Sequence, residues 1–210
     1  MVAMTGSFRE YRSIGITRSI IMILNAPRFL PIFALLSISG RRGVIAQDLA
    51  RWMAVRRLEF TEGFALRYLF TFVPEFRTLV YWRLGKPGRS LEFLARGRVG
   101  LNLLMDPLRV GPGLYLQHGD GAFVSCESIG RNCWVSQQVT LGYTNDNDRP
   151  TVGDNVSFRA GAKVLGAVYV GDGSTVGANA VVLRNVPPGS VISPPSSRTV
   201  VGGAQHKVSK

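Results

Sequence analysis

Only two histidines occur in the 210 residues, and imidazole is the side chain best suited to take a proton from a hydroxyl near pH 7. His206 sits in a polar C-terminal tail, where disorder or a packing role is expected ahead of catalysis. His118 sits inside a regular repeat and is the better candidate for a general base, although a lone histidine is more often structural. Arg149 lies in a loop that interrupts the repeat, where a cation either holds an anionic group or is simply solvated. Cys126 and Cys133 are seven apart with no histidine pair nearby, so neither a disulfide framework nor a zinc site is indicated. Reduced thiols and no bound metal are expected.

The scaffold that would position these groups is written in the second half of the chain. An aliphatic or aromatic residue recurs every six positions at Val152, Phe158, Val164, Val170, Val176 and Val182. Upstream the phase continues at Val110 and Leu116, then Ala122, slips by one residue to Ile129, and runs on through Val135 and Leu141. A helix would repeat near 3.6 and a plain strand at two, so a period of six means short strands joined by tight turns. Glycine often follows the lead position, as at Gly111, Gly130, Gly153 and Gly171, which is read as a need for backbone freedom. From Leu141 to Val152 the interval is eleven instead of six, and the intervening loop carries Arg149.

The first half has a different grammar. Apolar and basic residues alternate at helical spacing from Ala46 to Glu59, Thr61-Glu62 looks like a helix start, Pro74 begins another helix, and Gly85-Lys86-Pro87-Gly88 ends it. Ile20 to Ile38 is apolar but broken by Asn25, Pro27, Arg28 and Pro31, so a membrane span is not expected. No signal-peptide pattern stands at the N-terminus, and a cytoplasmic location is expected. Lys and Arg number 25 against 13 Asp and Glu, and residues 1–100 hold 16 of the former and six of the latter. That basic half suits a solvated face or peripheral contact with an anionic membrane, at the inner face if the chain is cytoplasmic. No nucleic-acid motif accompanies it, and no nucleic-acid partner is expected. Hydrophobic residues at 46% and charged ones at 18% exclude collagen-like, mucin-like and disordered chains.

The repeat resembles that of the hexapeptide-repeat acyltransferases. The ordered set Leu114-Tyr115-Leu116-Gln117-His118-Gly119, Ile129-Gly130-Arg131-Asn132-Cys133, Val139-Thr140-Leu141-Gly142, Gly161-Ala162-Lys163-Val164-Leu165-Gly166, Gly177-Ala178-Asn179-Ala180 and Val186-Pro187-Pro188-Gly189 is similar to the serine acetyltransferase branch. Pro74-Glu75-Phe76-Arg77 and Arg83-Leu84-Gly85 look like the end of that branch's helical region. The resemblance implies a mainly β fold, a left-handed parallel β-helix of three six-residue sides, preceded by an α-helical region. The division is 1–100 helical, 101–192 β-helix and 193–210 tail, with twelve lead positions making about four coils.

The same resemblance implies acetyl-CoA as cosubstrate, a homotrimer or dimer of trimers, and His118 as catalytic base. Gly142, Ala160 and Ala178 would then contact the coenzyme, and Gln117 and Arg149 the acceptor. His118, Gln137, Ala160 and Ala178 each fall two after a lead on the same side of the prism and should form one column. Three groups of the family pattern are missing: the loop has Asp148-Arg149-Pro150 without a histidine, Gln117 replaces an acid, and Leu103 replaces the aspartate that orients the imidazole. Asp106 and Asp120 are the nearest substitutes. Without those groups, a sugar hydroxyl of a surface glycan precursor is expected as acceptor ahead of L-serine, and a silent trimeric scaffold is the competing reading.

Overall fold

The computed structural model describes residues 15–194. His206 and most of the predicted tail lie outside them. Five helices come first: α1 (Ile16–Ile38), α2 (Arg42–Arg56), α3 (Glu62–Phe72), α4 (Pro74–Arg83) and α5 (Gly85–Ser90). Thr61 precedes α3 in extended conformation with Glu62 in its first turn. Pro74 occupies the first turn of α4, where its missing N–H costs nothing. Two expectations are corrected here. The helix from Pro74 ends at Arg83 as expected, but the breakers that follow are themselves helical, the chain turning at Gly85 (φ +69) into the short α5. Pro27 and Pro31 do not break α1, a continuous 23-residue helix whose Met22, Phe29 and Ile32 are buried. Phe29 meets the Phe70 ring of α3 edge-on at 5.6 Å, and this packing outweighs the two backbone hydrogen bonds that the prolines remove.

Short parallel strands follow, three to a turn. One face stacks β1 (Asn102–Leu103), β3 (Phe123–Val124), β6 (Thr140–Gly142), β9 (Lys163–Leu165) and β12 (Val181–Val182). The next stacks β4 (Ser128–Ile129), β7 (Thr151–Val152) and β10 (Tyr169–Val170), extended by single bridges to Val110 and Val186. The third stacks β2 (Tyr115–Leu116), β5 (Trp134–Val135), β8 (Ser157–Phe158), β11 (Thr175–Val176) and β13 (Val191–Ile192). Each face thus has five rungs, so the solenoid makes about five turns instead of four, starting at Asn102, ahead of Val110. The three rungs missed by the six-residue count lie at its ends, at Leu103 before Val110 and at Val186 and Ile192 after Val182. Within the count the inward lead is Val124 and not Ala122, since Val124 pairs with Leu141. Leu116 to Val124 is eight residues and Val124 to Ile129 is five, an insertion followed by a deletion that together imitate a single slip.

The interior is a ladder of lead residues, with Leu116, Leu141, Phe158, Val164, Val170 and Val176 fully buried. Cys126 and Cys133 are buried thiols, and burial pushes both pKa values up, that of Cys133 to about 11. The glycines after the leads serve a purpose other than the expected one. A Cβ on Gly111 would lie 2.7 Å from the Gly130 carbonyl carbon, and one on Gly130 would lie 2.5 Å from that of Gly153, so they permit close stacking of coils. Positive φ falls at other turn positions, chiefly Asn132, Gln138, Asn155, Gly161 and Asn179.

One polar cluster joins the helices to the prism. Arg83 Nε donates to Asp48 Oδ2 at 2.9 Å, and its other nitrogens donate to the carbonyls of Pro107, Val110 and Gly111. Asp48 Oδ1 accepts from the amides of Gly113 and Leu114 at 2.7 and 3.1 Å. Burial pushes the Asp48 carboxyl up from its usual range against the pull of Arg83 and the two amides. Beside it Trp52 packs between Phe76 and Tyr115, with centroids 5.3 and 4.5 Å away, and its Nε1 donates to the Leu114 carbonyl. Residues 107–116, which lead into His118, are therefore held from the helical side.

Candidate active site

The corner after the third face carries the candidate base. In later coils this corner is a tight turn with one left-handed residue, at Gln138, Gly161 and Asn179. In the first coil His118, Gly119 and Gly121 all have positive φ, because the turn holds two extra residues. The Gly119 amide donates to the Gln117 carbonyl at 2.7 Å, and Leu101 packs under Gly119. His118 is thereby pushed out of the turn and is exposed. A left-handed backbone at a histidine is uncommon, and the projection of its ring from the edge is what that conformation achieves.

The expected column forms below it, with one change of register. The amides of Gln138, Gly161 and Asn179 donate to the carbonyls of Asp120, Gln137 and Ala160 at 2.8, 3.0 and 2.9 Å. Asp120, Gln137, Ala160 and Ala178 are thus the stacked positions, and His118 stands at their head on the inserted bulge. With rungs about 4.8 Å apart, the column extends about 14 Å along the edge. Small side chains at Ala160 and Ala178 leave the backbone there open to an extended ligand.

The remaining predicted residues divide between this edge and another. Gln117 is half-buried, and its Oε1 accepts from Trp134 Nε1 at 3.1 Å and Ser136 Oγ at 3.4 Å, so that oxygen braces the wall beneath His118. Leu103 is an inward-facing, buried residue of β1. Asp106 accepts from the Leu108 amide at 2.9 Å and caps a turn, while Asp120 is paired with the Arg98 guanidinium. Neither substitute reaches the imidazole, and among the described residues no hydrogen bond joins His118 to a carboxylate. Gly142 and Arg149 belong to the next corner of the prism, between the first and second faces. There Asp148 accepts from the amides of Thr144 and Asn145, both at 2.8 Å, and from the Thr144 hydroxyl, which hold its carboxyl below the usual range. Arg149 is exposed, with its guanidinium 5.9 Å from the Tyr143 ring centroid.

Sequence reasoning missed the residues that support the site. Arg98 joins Asp120 of the His118 bulge and lies 3.6 Å from Glu75 of α4. Trp134 and Ser136 hold Gln117, and Asp48 with Arg83 anchors the approach to β2. Arg83 was visible within a motif, but the Asp48 partner is 35 residues away and no local pattern links them.

Comparison with known proteins agrees with the architecture. Residues 149–184 match the family model for the bacterial transferase hexapeptide (six repeats). Serine acetyltransferase of Helicobacter pylori is 39% identical over 116 residues, covering 53% of this chain and 67% of that protein. The Bacillus subtilis serine acetyltransferase is 37% identical over 124 residues, covering 54% of this chain and 57% of its own length. The chain therefore spans two thirds of the first and little more than half of the second. Among solved structures, Entamoeba histolytica serine acetyltransferase isoform 3 superposes with TM-score 0.63 at 23% identity, over 89% of this chain and 71% of that one. The Neisseria gonorrhoeae serine acetyltransferase, solved in complex with serine, gives 0.62 at 21% identity over 89% and 85%. The fold is the expected left-handed parallel β-helix behind a helical region. The chain is an acetyltransferase enzyme and belongs to the serine acetyltransferase-like branch of the hexapeptide-repeat acyltransferases.

Proposed function

We propose that this chain transfers the acetyl group of acetyl-CoA to the hydroxyl of L-serine, with His118 as general base. The observation that carries the reading is His118 itself, projected by a left-handed bulge at the head of a small-residue edge, within the segment shared with relatives named serine acetyltransferases. The relatives described above are named serine acetyltransferases, which supports L-serine ahead of the glycan acceptor expected from the sequence. His118 takes the proton from the acceptor hydroxyl as its oxygen attacks the thioester carbonyl. The new C–O bond forms, the C–S bond breaks, and the imidazolium returns the proton to the leaving thiolate. Ala160 and Ala178 offer their exposed backbone edge to the pantetheine arm.

His118 and the pair Gly142 and Arg149 lie at different corners of one prism. They meet at a single site only if a second subunit brings its corner alongside, so a homotrimer is part of the proposal. A second reading rests on the residues that are absent. Without a loop histidine, with Gln117 turned to Trp134 and Leu103 in the core, the site lacks acidic partners for an ammonium group, which a sugar hydroxyl would not require.

Thiol release from acetyl-CoA, measured with L-serine and separately with glycan precursors, decides between them. Turnover with serine that falls about 10²–10⁴-fold in His118→Ala, while coenzyme A binding persists, is the expected result. Release with the glycan alone overturns the serine assignment. Undiminished turnover in the variant overturns the role of His118, and no coenzyme binding at all would leave a silent scaffold.

A further inference from the structure

The outer side of α1 is apolar from end to end. At about 100° per residue, Ile16, Ile20, Ile23, Leu24, Leu30 and Ile38 fall within an arc of about 120°, with both prolines on the same side. All six are exposed, Ile16 and Ile38 at 81% and 83% and Leu24 at 74%. The stripe is about 33 Å long and carries no charge. The opposite side includes Arg18 and Asn25 and is occupied, with the buried Phe29 and Ile32 set against the helical layer. A helix whose apolar outer side is left uncovered exposes a surface that water disfavours.

The geometry points to an anionic lipid surface as the occupant of this stripe, with α1 lying in the membrane interface and its inner side still packed on α3. Charge decides between lipid and a second copy. The described helical region holds fourteen arginines and lysines against five acidic residues, of which Asp48 and Glu75 are buried and Glu59, Glu62 and Glu92 are not. Arg41 and Arg42 follow the end of α1, and among the described residues no carboxylate pairs with either. Two copies placed stripe to stripe would set this arginine-rich region against itself. Anionic headgroups would neutralise it while the side chains enter the acyl boundary. Phe93, 80% exposed, extends the apolar surface beside α1, since Arg28 donates to the carbonyl of its neighbour Leu94. The inner packing also argues for lying on the membrane: spanning it would strip Phe29 from Phe70.

The test is flotation of the full chain with vesicles of phosphatidylcholine alone or mixed with phosphatidylglycerol, at low and high salt. The wild type is expected to float with the anionic vesicles, less so at high salt, and the double variant Ile23→Glu/Leu30→Glu to lose about tenfold or more of that binding. Both positions are exposed, so circular dichroism should be unchanged. Should that variant fail to fold, Arg41→Glu/Arg42→Glu tests the electrostatic part, with loss of binding expected. Absence of flotation, or equal flotation on neutral vesicles, overturns the proposal. An assembly in sedimentation that dissociates in the variant, without vesicle binding, assigns the stripe to a second copy instead. Resistance to alkaline extraction overturns the interfacial placement in favour of a span.

Discussion

The helical layer and the solenoid are held together in opposite ways. In the solenoid each rung repeats its neighbour, so stability is a sum of similar terms: an inward lead residue, a glycine that lets the next coil approach, and a left-handed turn. In the helical layer nothing repeats, and its grip on the prism converges on Asp48, Arg83 and Trp52. Redundancy makes the one tolerant of single losses, whereas concentration makes the other sensitive to them. The candidate base sits at the junction, in the first coil, where the repeat is least regular and the helical contacts are closest.

This contrast can be broken by removing the anchor. Asp48→Ala leaves a buried guanidinium without its carboxylate and two amides without an acceptor, and should cost about 3–5 kcal/mol. Thermal unfolding should show a correspondingly large fall, accompanied by loss of acetyl transfer because residues 107–116 lose their hold. A change in melting temperature no larger than that of a surface variant would show that the layer's grip is distributed after all.

A single turn of the solenoid should matter less. Gly161 has φ +71, and a Cβ there would lie 2.1 Å from Asn179 Oδ1, a side-chain atom that can move. Gly161→Ala is therefore expected to cost about 1–2 kcal/mol, mostly from the left-handed backbone, as read by denaturant midpoint. A cost matching that of Asp48→Ala would mean that the coils are not interchangeable and that one turn controls the stack.

The smallest effect on stability is expected at the exposed link between the regions. Arg98 and Asp120 are both solvent-accessible, so Arg98→Gln should change stability by about 0.2–1 kcal/mol. The pair holds the bulge that carries His118, and a fall in kcat with little change in unfolding would assign Arg98 to positioning. Restoration of kcat by Arg98→Lys would sharpen that assignment, while an unchanged kcat in Arg98→Gln would remove it.

Much of the solenoid was legible because a lead residue every six positions is a local signal, readable without any partner. The register failed at Ala122, where an insertion and a deletion in the same coil compensate along the chain. Only the pairing of Val124 with Leu141 separates them. The helix starts at Thr61 and Pro74 were legible for the same local reason. Pro27 and Pro31 misled, since local propensity counted them as breaks while burial of Phe29 and Ile32 kept the helix whole.

By itself, the sequence determined the repeat, the family resemblance it carries, and the candidacy of His118, because each depends on residue type and short-range spacing. The tertiary structure alone decided where Asp120 and Asp106 spend their carboxylates, that Gln117 turns to Trp134, and that Gly142 and Arg149 stand at a different corner from His118. It also decided that the outer side of α1 is left uncovered. These outcomes depend on contacts between residues tens of positions apart and on which of several possible partners folding brings within hydrogen-bond reach, and no period along the chain encodes that choice.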